Sequence, residues 1–271
     1  MQRDFLNDHA IRSQLVYELI TSPQNRRLHA ETDSGIPKRV IQFWDDLARM
    51  PDDVRECINS WHIIDGLGYS RELFDDAYAS DFIGQNFDVG HLNAYDRCHH
   101  PAMRCDYFRL CFLLKNGGAY IDADEQFVGD EDLTAFFETG AVKLQPLCFD
   151  MSTGAMVPAS RFIHEPFDRH RIYYFNNNPI LARKDDAVIA IALQRATNKL
   201  LSSARPQDIQ ATTGPGNITE SLLLSQYGQD NPQGERPRWQ ALSRWDDFSV
   251  SKWPLSYRDD NRNWRNWELP E

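Results

Sequence analysis

Asp122 and Asp124, two acids with one residue between them, are the pair in this chain best suited to chemistry by type and spacing. In an extended segment, residues i and i+2 project to the same side, so the two carboxylates would converge. They would repel each other unless a positive charge sat between them. Carboxylate oxygens select hard cations such as Mg²⁺ or Mn²⁺. A hard cation held by one or two carboxylates completes its shell with water and substrate phosphates, which makes a diphosphate-bearing substrate the natural partner. A D-x-D tripeptide alone also fits a solvated acidic turn; what distinguishes this one is the Gly117-Gly118-Ala119-Tyr120-Ile121 run before it. Asp106 and Arg109 stand three apart on an expected helix and so share a face. They are either a surface ion pair worth roughly a few tenths of a kcal/mol, or a charged pair facing a polar ligand, with Arg109 offering a fork of donors to oxygens.

Other constellations carry less. Adjacent His99 and His100 cannot easily share one metal, and no spaced third ligand follows. His164-Glu165-Pro166-Phe167-Asp168 has a proline where a zinc-binding helix needs continuity. G-x-S-x-G, G-x-G-x-x-G and the phosphate-cradling G-x-x-x-x-G-K-S/T are missing, which removes the obvious hydrolase, dehydrogenase and ATPase readings. Asn176-Asn177-Asn178 reads first as a turn satisfying its own backbone and second as a sugar-binding strip.

The acids need elements to hold them. Pro101 suits the first turn of a helix. Met103, Tyr107, Leu110, Cys111 and Leu114 fall on one inward face, and Asn116-Gly117-Gly118 ends the helix with a left-handed glycine cap. Ala119-Tyr120-Ile121 reads as a very short strand running into the acids. Helix, glycine stop, strand and acidic turn form an α/β arrangement with acids at a strand's C-terminal end, where ligands sit in open α/β sheets. Arg39 to Trp44 reads as a buried opening strand, and Pro51 starts a helix with Val54, Cys57, Ile58 and Trp61 inward. Residues 1–22 have helix-like spacing, read as one or two amphipathic helices, packed on the main body or, second, docking on a membrane surface or partner. Beyond residue 140 the pattern loosens until a helix over Asp185 to about Ser202, a loop at 211–216 and a short helix after it. Five of the seven Trp lie from Trp239 onward (239, 245, 253, 264, 267), a segment expected to wrap onto the body.

The chain has 271 residues and 41% hydrophobic content, a globular composition. Its net charge of −11 argues against nucleic acid as a partner. No window approaches the ~18 apolar residues of a membrane span, and the N-terminus lacks the apolar core of a secretory signal. With five cysteines and no C-x-x-C, reduced thiols and a cytoplasmic setting are expected; secretion as an effector by another route stays open.

The run C-D-Y-F-R-L-C-F-L-L-K-N-G-G-A-Y-I-D-A-D (105–124) closely resembles the S-D-x-x-R-x-x-x-L-x-x-x-G-G-x-Y-x-D-x-D signature of glycosyltransferase family 32, the sugar-binding-region DXD family. That family includes initiating mannosyltransferases and capsular-polysaccharide enzymes, and is related to the glucosylating domains of large bacterial toxins. Ile36-Pro37-Lys38 with Gln42-Phe43-Trp44 is similar to its opening strand, and Asn59-Ser60-Trp61 with Tyr69 and Phe74-Asp75-Asp76 to its S-W…Y…W-D-D stretch. Asn178-Pro179-Ile180-Leu181-Ala182 is similar to a later strand, and Thr213-Gly214-Pro215 to its T-G-P loop.

The resemblance implies a GT-A type fold, α/β with a mainly parallel central sheet and added helices. It would span residues 35–271 behind an N-terminal helical extension, 1–34. It implies a retaining, metal-dependent hexosyl transfer from a nucleotide-diphosphate sugar, UDP-hexose favoured and GDP-mannose possible, to a hydroxyl-bearing acceptor. Asp124 would be the direct Mn²⁺ or Mg²⁺ ligand. Asp122 would reach donor ribose or sugar, and the metal through water. Asp106 and Arg109 would hold the donor sugar, Trp44 would lie against the base, Tyr120 would support the donor pocket and Asn178 would reach sugar or acceptor. Cys105 departs from the family's serine, and no His follows His170, leaving Asn263-Trp264 or Asn266-Trp267 as a closing lid. The competing readings are a Mg²⁺-dependent phosphohydrolase or nucleotidyltransferase on the same acids, and a non-catalytic sugar-binding module.

Overall fold

The computed structural model describes residues 4–22, 35–129, 133–202, 208–228 and 236–266. Its helices are α1 (His9–Thr21), α2 (Asp52–Ser60), α3 (Asp76–Asn86), α4 (Val89–Asp96), α5 (Pro101–Asn116), α6 (Thr134–Phe137), α7 (Ala187–Ser202), α8 (Ile209–Thr212) and α9 (Pro215–Tyr227). Its strands are β1 (Arg39–Phe43), β2 (Ser70–Phe74), β3 (Gly118–Tyr120), β4 (Glu125–Phe127), β5 (Val142–Asp150), β6 (Ala155–Pro158), β7 (Arg171–Ala182), β8 (Trp239–Ala241) and β9 (Ser249–Ser251).

The central sheet is ordered β2-β1-β3-β7-β5-β6, with β8 added beside β5; β4 and β9 form a separate ribbon. β1, β2, β3, β5 and β8 run one way, and β7 and β6 run against them. This is the expected α/β class with a mainly parallel sheet. Alternation along the strands sends side chains to two cores. Ile41, Phe43, Tyr120 and Ile180 face the larger core, built with α1, α3, α4, α5, α7 and α9. Val40, Ala119, Ile121 and Leu181 face a second core with Trp61, Phe127, Trp245 and Phe248. α1 buries Leu15, Val16 and Leu19 in the larger core, as expected for a helix packed on the body. The boundary expected at residue 34 lies outside the described residues.

Three expectations are corrected. The loose region after residue 140 contains the two longest strands, β5 and β7. Sheet-central strands flanked by helices need no polar alternation, so the period-2 signal is weak there. The Asn triplet is not a turn: it lies within β7, where the β5–β7 register jumps from Leu144↔Ile180 to Pro146↔Phe175. Such a bulge re-aims side chains, and here it supplies two amides to the site. Gly117 caps α5 at φ 66°, ψ −179°, which is positive φ but not the left-handed helical conformation. A Cβ there would stand 2.7 Å from the Lys184 backbone nitrogen, and one on Gly118 (φ 123°) 2.8 Å from the Arg39 carbonyl. The glycine pair therefore lets β3 fit against its neighbours as well as ending the helix.

Candidate active site

β1 and β3 are parallel neighbours, so the segments leaving their C-terminal ends emerge together. Trp44 follows β1, and Asp122 to Asp124 follow β3. Both line one cleft of about 980 Å³, along with Asp106, Arg109, Tyr120 and Asn178. The residues expected to hold donor and metal, Trp44, Asp106, Arg109, Tyr120, Asp122, Asp124 and Asn178, are thus brought to the same place. The acids do not continue an extended strand. The Glu125 N–H donates to the Asp122 carbonyl at 3.1 Å, closing a turn. The turn buries Ala123 and leaves the carboxylates of Asp122 and Asp124 lining the cleft.

Arg109 is the centre of the polar network. It is buried, and its Nη2 bonds Asp106 Oδ1 at 2.9 Å and Asp122 Oδ1 at 3.0 Å. Nη1 donates to the Asn177 carbonyl, and the guanidinium lies 4.0 Å from the Tyr120 ring centre. Asp106 is buried too, accepting from Asn177 Nδ2 at 2.8 Å and Thr213 Oγ1 at 3.2 Å. The surface-pair alternative for Asp106 and Arg109 is therefore set aside: α5 is buried on almost every side at this level. Tyr120 is fully buried beneath Arg109, and its hydroxyl contacts Cys105 Sγ at 2.7 Å. The thiol also accepts from Arg109 at 3.2 Å.

Asn178 Oδ1 accepts the Asp122 N–H at 2.8 Å, and its Nδ2 donates to Glu125 Oε1 at 3.1 Å. Its amide is engaged in fixing the acidic turn. Partial burial raises the Asp122 carboxyl above its ordinary 3.8, Arg109 opposing the rise and the negative charge of Asp124 adding to it; 35% exposure of the side chain limits the rise. Burial likewise pushes Glu125 up to about 7, against hydrogen bonds from Ser249 and Asn178. Burial also raises Asp106, with Arg109 pulling it back.

Asp124 has a different partner. Its Oδ2 accepts from Tyr257 Oη at 2.8 Å and is paired with Arg258. Asn263 and Asn266, expected with the tryptophans beside them as a closing lid, donate their amides to the Arg258 carbonyl at 2.8 Å each, and Asn263 and Trp264 line the same cleft. Trp239 and Trp245 are buried, as expected of a segment that wraps the body, while Trp253 is 62% exposed and Trp267 lies outside the described residues. His100 caps α5, accepting from the Ala102 N–H at 3.0 Å.

The donor set fits a hard cation held jointly with substrate. Among the described residues no three His, Cys, Asp or Glu side chains form a cluster able to hold a metal alone. Two carboxylates that a diphosphate and water would complete are what Mg²⁺ or Mn²⁺ accepts. Asp124 already carries a positive partner, the Arg258 guanidinium. Sequence reasoning missed Glu125, Tyr257 and Arg258, and named Asn177 only as part of the Asn triplet. Glu125 adjoins a residue it had singled out; Tyr257 and Arg258 had no local signal.

Residues 51–133 match the family described as glycosyltransferase sugar-binding region containing DXD motif. An uncharacterized glycosyltransferase of Acanthamoeba polyphaga mimivirus is 29% identical over 156 residues, covering 56% of this chain. The match spans 58% of that relative's length, under two thirds of it. A solved structure, PaToxG glycosyltransferase, aligns over 81% of this chain and 78% of its own, at 16% identity and a TM-score of 0.49. No helix among the described residues is long and apolar enough to cross a membrane.

Proposed function

We propose that this chain is a metal-dependent, retaining glycosyltransferase of GT-A type. It moves a hexose from a nucleotide-diphosphate sugar, a UDP-sugar in the first place, to a hydroxyl-bearing acceptor. Residues 35–271 form the transferase domain, and 1–34 an extension whose helix packs on it. The observation that carries this reading is the convergence of Asp122, Asp124, Arg109 and Trp44 on one cleft at the C-terminal ends of β1 and β3.

Asp124 would hold the cation directly and Asp122 through water. When bound, Mn²⁺ or Mg²⁺ supplies Lewis acidity that offsets charge growing on the departing diphosphate. Arg109 fixes the Asp122 carboxylate and lends positive charge to the donor-sugar end of the cleft. Asp106, Asn177 and Thr213 hold Arg109 from behind, so its fork costs little reorganisation when the donor arrives. The Trp44 ring offers an apolar face for the base. In a retaining transfer the acceptor hydroxyl approaches on the leaving group's own face, and a phosphate oxygen can take its proton, so no dedicated general base is assigned.

The test is Mn²⁺-dependent sugar-nucleotide hydrolysis and transfer by Asp124→Ala and Asp122→Asn, with nucleotide-sugar turnover followed by mass spectrometry. A loss of ~10²–10³ in kcat is expected for each. Full metal-dependent activity in both variants sinks the assignment. Thermal stabilisation by UDP only when Mn²⁺ is present supports the transferase reading. Phosphate release from nucleotides without sugar-dependent product supports a phosphohydrolase instead.

A further inference from the structure

The C-terminal segment covers two positions that the donor complex needs. The short 3₁₀ turn Ser256–Asp259 places Tyr257 and Arg258 over Asp124. The Arg258 and Asp124 side chains are 9% and 14% exposed, so this is no loose surface pair. The same Tyr257 ring meets the Trp44 ring edge-on, with centres 5.3 Å apart. One turn of chain thus covers both the expected metal ligand and the expected base platform.

The turn is held by several short-range contacts. The Arg258 guanidinium lies 4.0 Å from the Trp253 ring centre. The Ser256 N–H and hydroxyl both donate to the Asp53 carboxylate. Leu255 is buried beside Met50, Val54 and Ala123. Arg109 is shared between Asp106 and Asp122, while Asp124 has Arg258 as its cation. Among the described residues Arg258 Nε has no hydrogen-bond partner, so the guanidinium is incompletely satisfied by them. A divalent ion can bridge a carboxylate to a diphosphate; a guanidinium can only donate hydrogen bonds to each.

We propose that Arg258 is the internal counter-cation of Asp124 and competes with a divalent ion for the same carboxylate. Metal loading displaces Arg258, and Tyr257 leaves Trp44 with it. The C-terminal turn is therefore a metal-exchangeable cover on the donor site. This rests on the reading of Asp124 as a metal ligand, and the experiment separates the two.

Mn²⁺ is titrated, with UDP held at a saturating concentration, into the full chain by calorimetry and by electron paramagnetic resonance, using wild type, Arg258→Gln, Arg258→Lys and Asp124→Asn. A charge-assisted hydrogen bond lost from the competitor predicts Mn²⁺ binding about tenfold tighter in Arg258→Gln. Arg258→Lys, a point charge without the fork, should fall between, and gives the comparison should the glutamine variant fail to fold. Mn²⁺ should also speed tryptic cleavage after Arg258 or Arg262 in wild type. Equal or weaker Mn²⁺ affinity in both Arg258 variants, with binding lost in Asp124→Asn, overturns the inference and leaves the metal ligand standing. Mn²⁺ binding retained in Asp124→Asn, or absent from every protein, overturns the metal reading and the inference together.

Discussion

Replacing Arg109 by methionine tests whether the site is held together by charge. Met is close in length and apolar, so packing over Tyr120 is largely kept while the charge is removed. Arg109 bonds Asp106 at 2.9 Å and Asp122 at 3.0 Å. Asp122 is 35% exposed at its side chain and can rehydrate, whereas Asp106, at 8%, cannot. Its remaining partners, Asn177 and Thr213, are neutral. Removing one member of a buried pair costs about 3–5 kcal/mol, most of it the penalty on the charge left behind. Arg109→Met should therefore lose about that much in urea unfolding at pH 7. Adding Asp106→Asn removes the stranded charge and should return about 1–2 kcal/mol. Acidification should act the same way. Burial already raises the Asp106 carboxyl, and without Arg109 it rises further, so the deficit shrinks as pH falls and the carboxyl protonates. A deficit under about 1 kcal/mol, or a double variant no more stable than the single one, would refute the reasoning.

Glu125→Gln should change the pH dependence of stability. Burial lifts Glu125 from an ordinary 4.5 to about 7, so the folded chain holds this proton more tightly than the unfolded one. That contribution is fully present below pH 4.5 and is lost as pH rises through 7. The variant should therefore gain on wild type between pH 5 and 8, by at most about 3 kcal/mol; Tm curves that stay parallel across that range contradict it. Trp245→Ala should cost about 3–5 kcal/mol by denaturant titration. The indole is buried and stacks on Trp61 with centres 6.0 Å apart, so a loss under 1 kcal/mol would mean that the C-terminal segment is not part of the core.

Much of this site could be read along the chain because its parts are local. α5, the glycine stop, β3 and the acidic turn occupy one continuous stretch, and each carries its own signal: proline at the helix start, helical spacing of apolar residues, and two glycines. β1 ends at Phe43, one residue short of the Arg39 to Trp44 strand expected, which leaves Trp44 just beyond it. Asp106 with Arg109, and Asp122 with Asp124, were found because their spacing within one element already implied a shared direction. The Asn triplet was misread for the converse reason. Asn next to Asn favours a turn locally, and a bulged pairing with β5 overrode that preference.

By itself, the sequence determined which residues could bind a divalent ion and a diphosphate, and that an α/β sheet would carry them at a strand's end. The folded chain decided their partners. Asp106 became a buried support for Arg109 because α5 sank into the core, a matter of packing on α7 and β7 that no heptad of its own sequence declares. Arg258 reached Asp124 across 134 residues of chain because β9 pairs with β4 and carries the tail back over the acids. Hydrogen-bond and charge partners far apart in sequence leave no periodic trace, since each is chosen by the shape into which the rest of the chain has already folded.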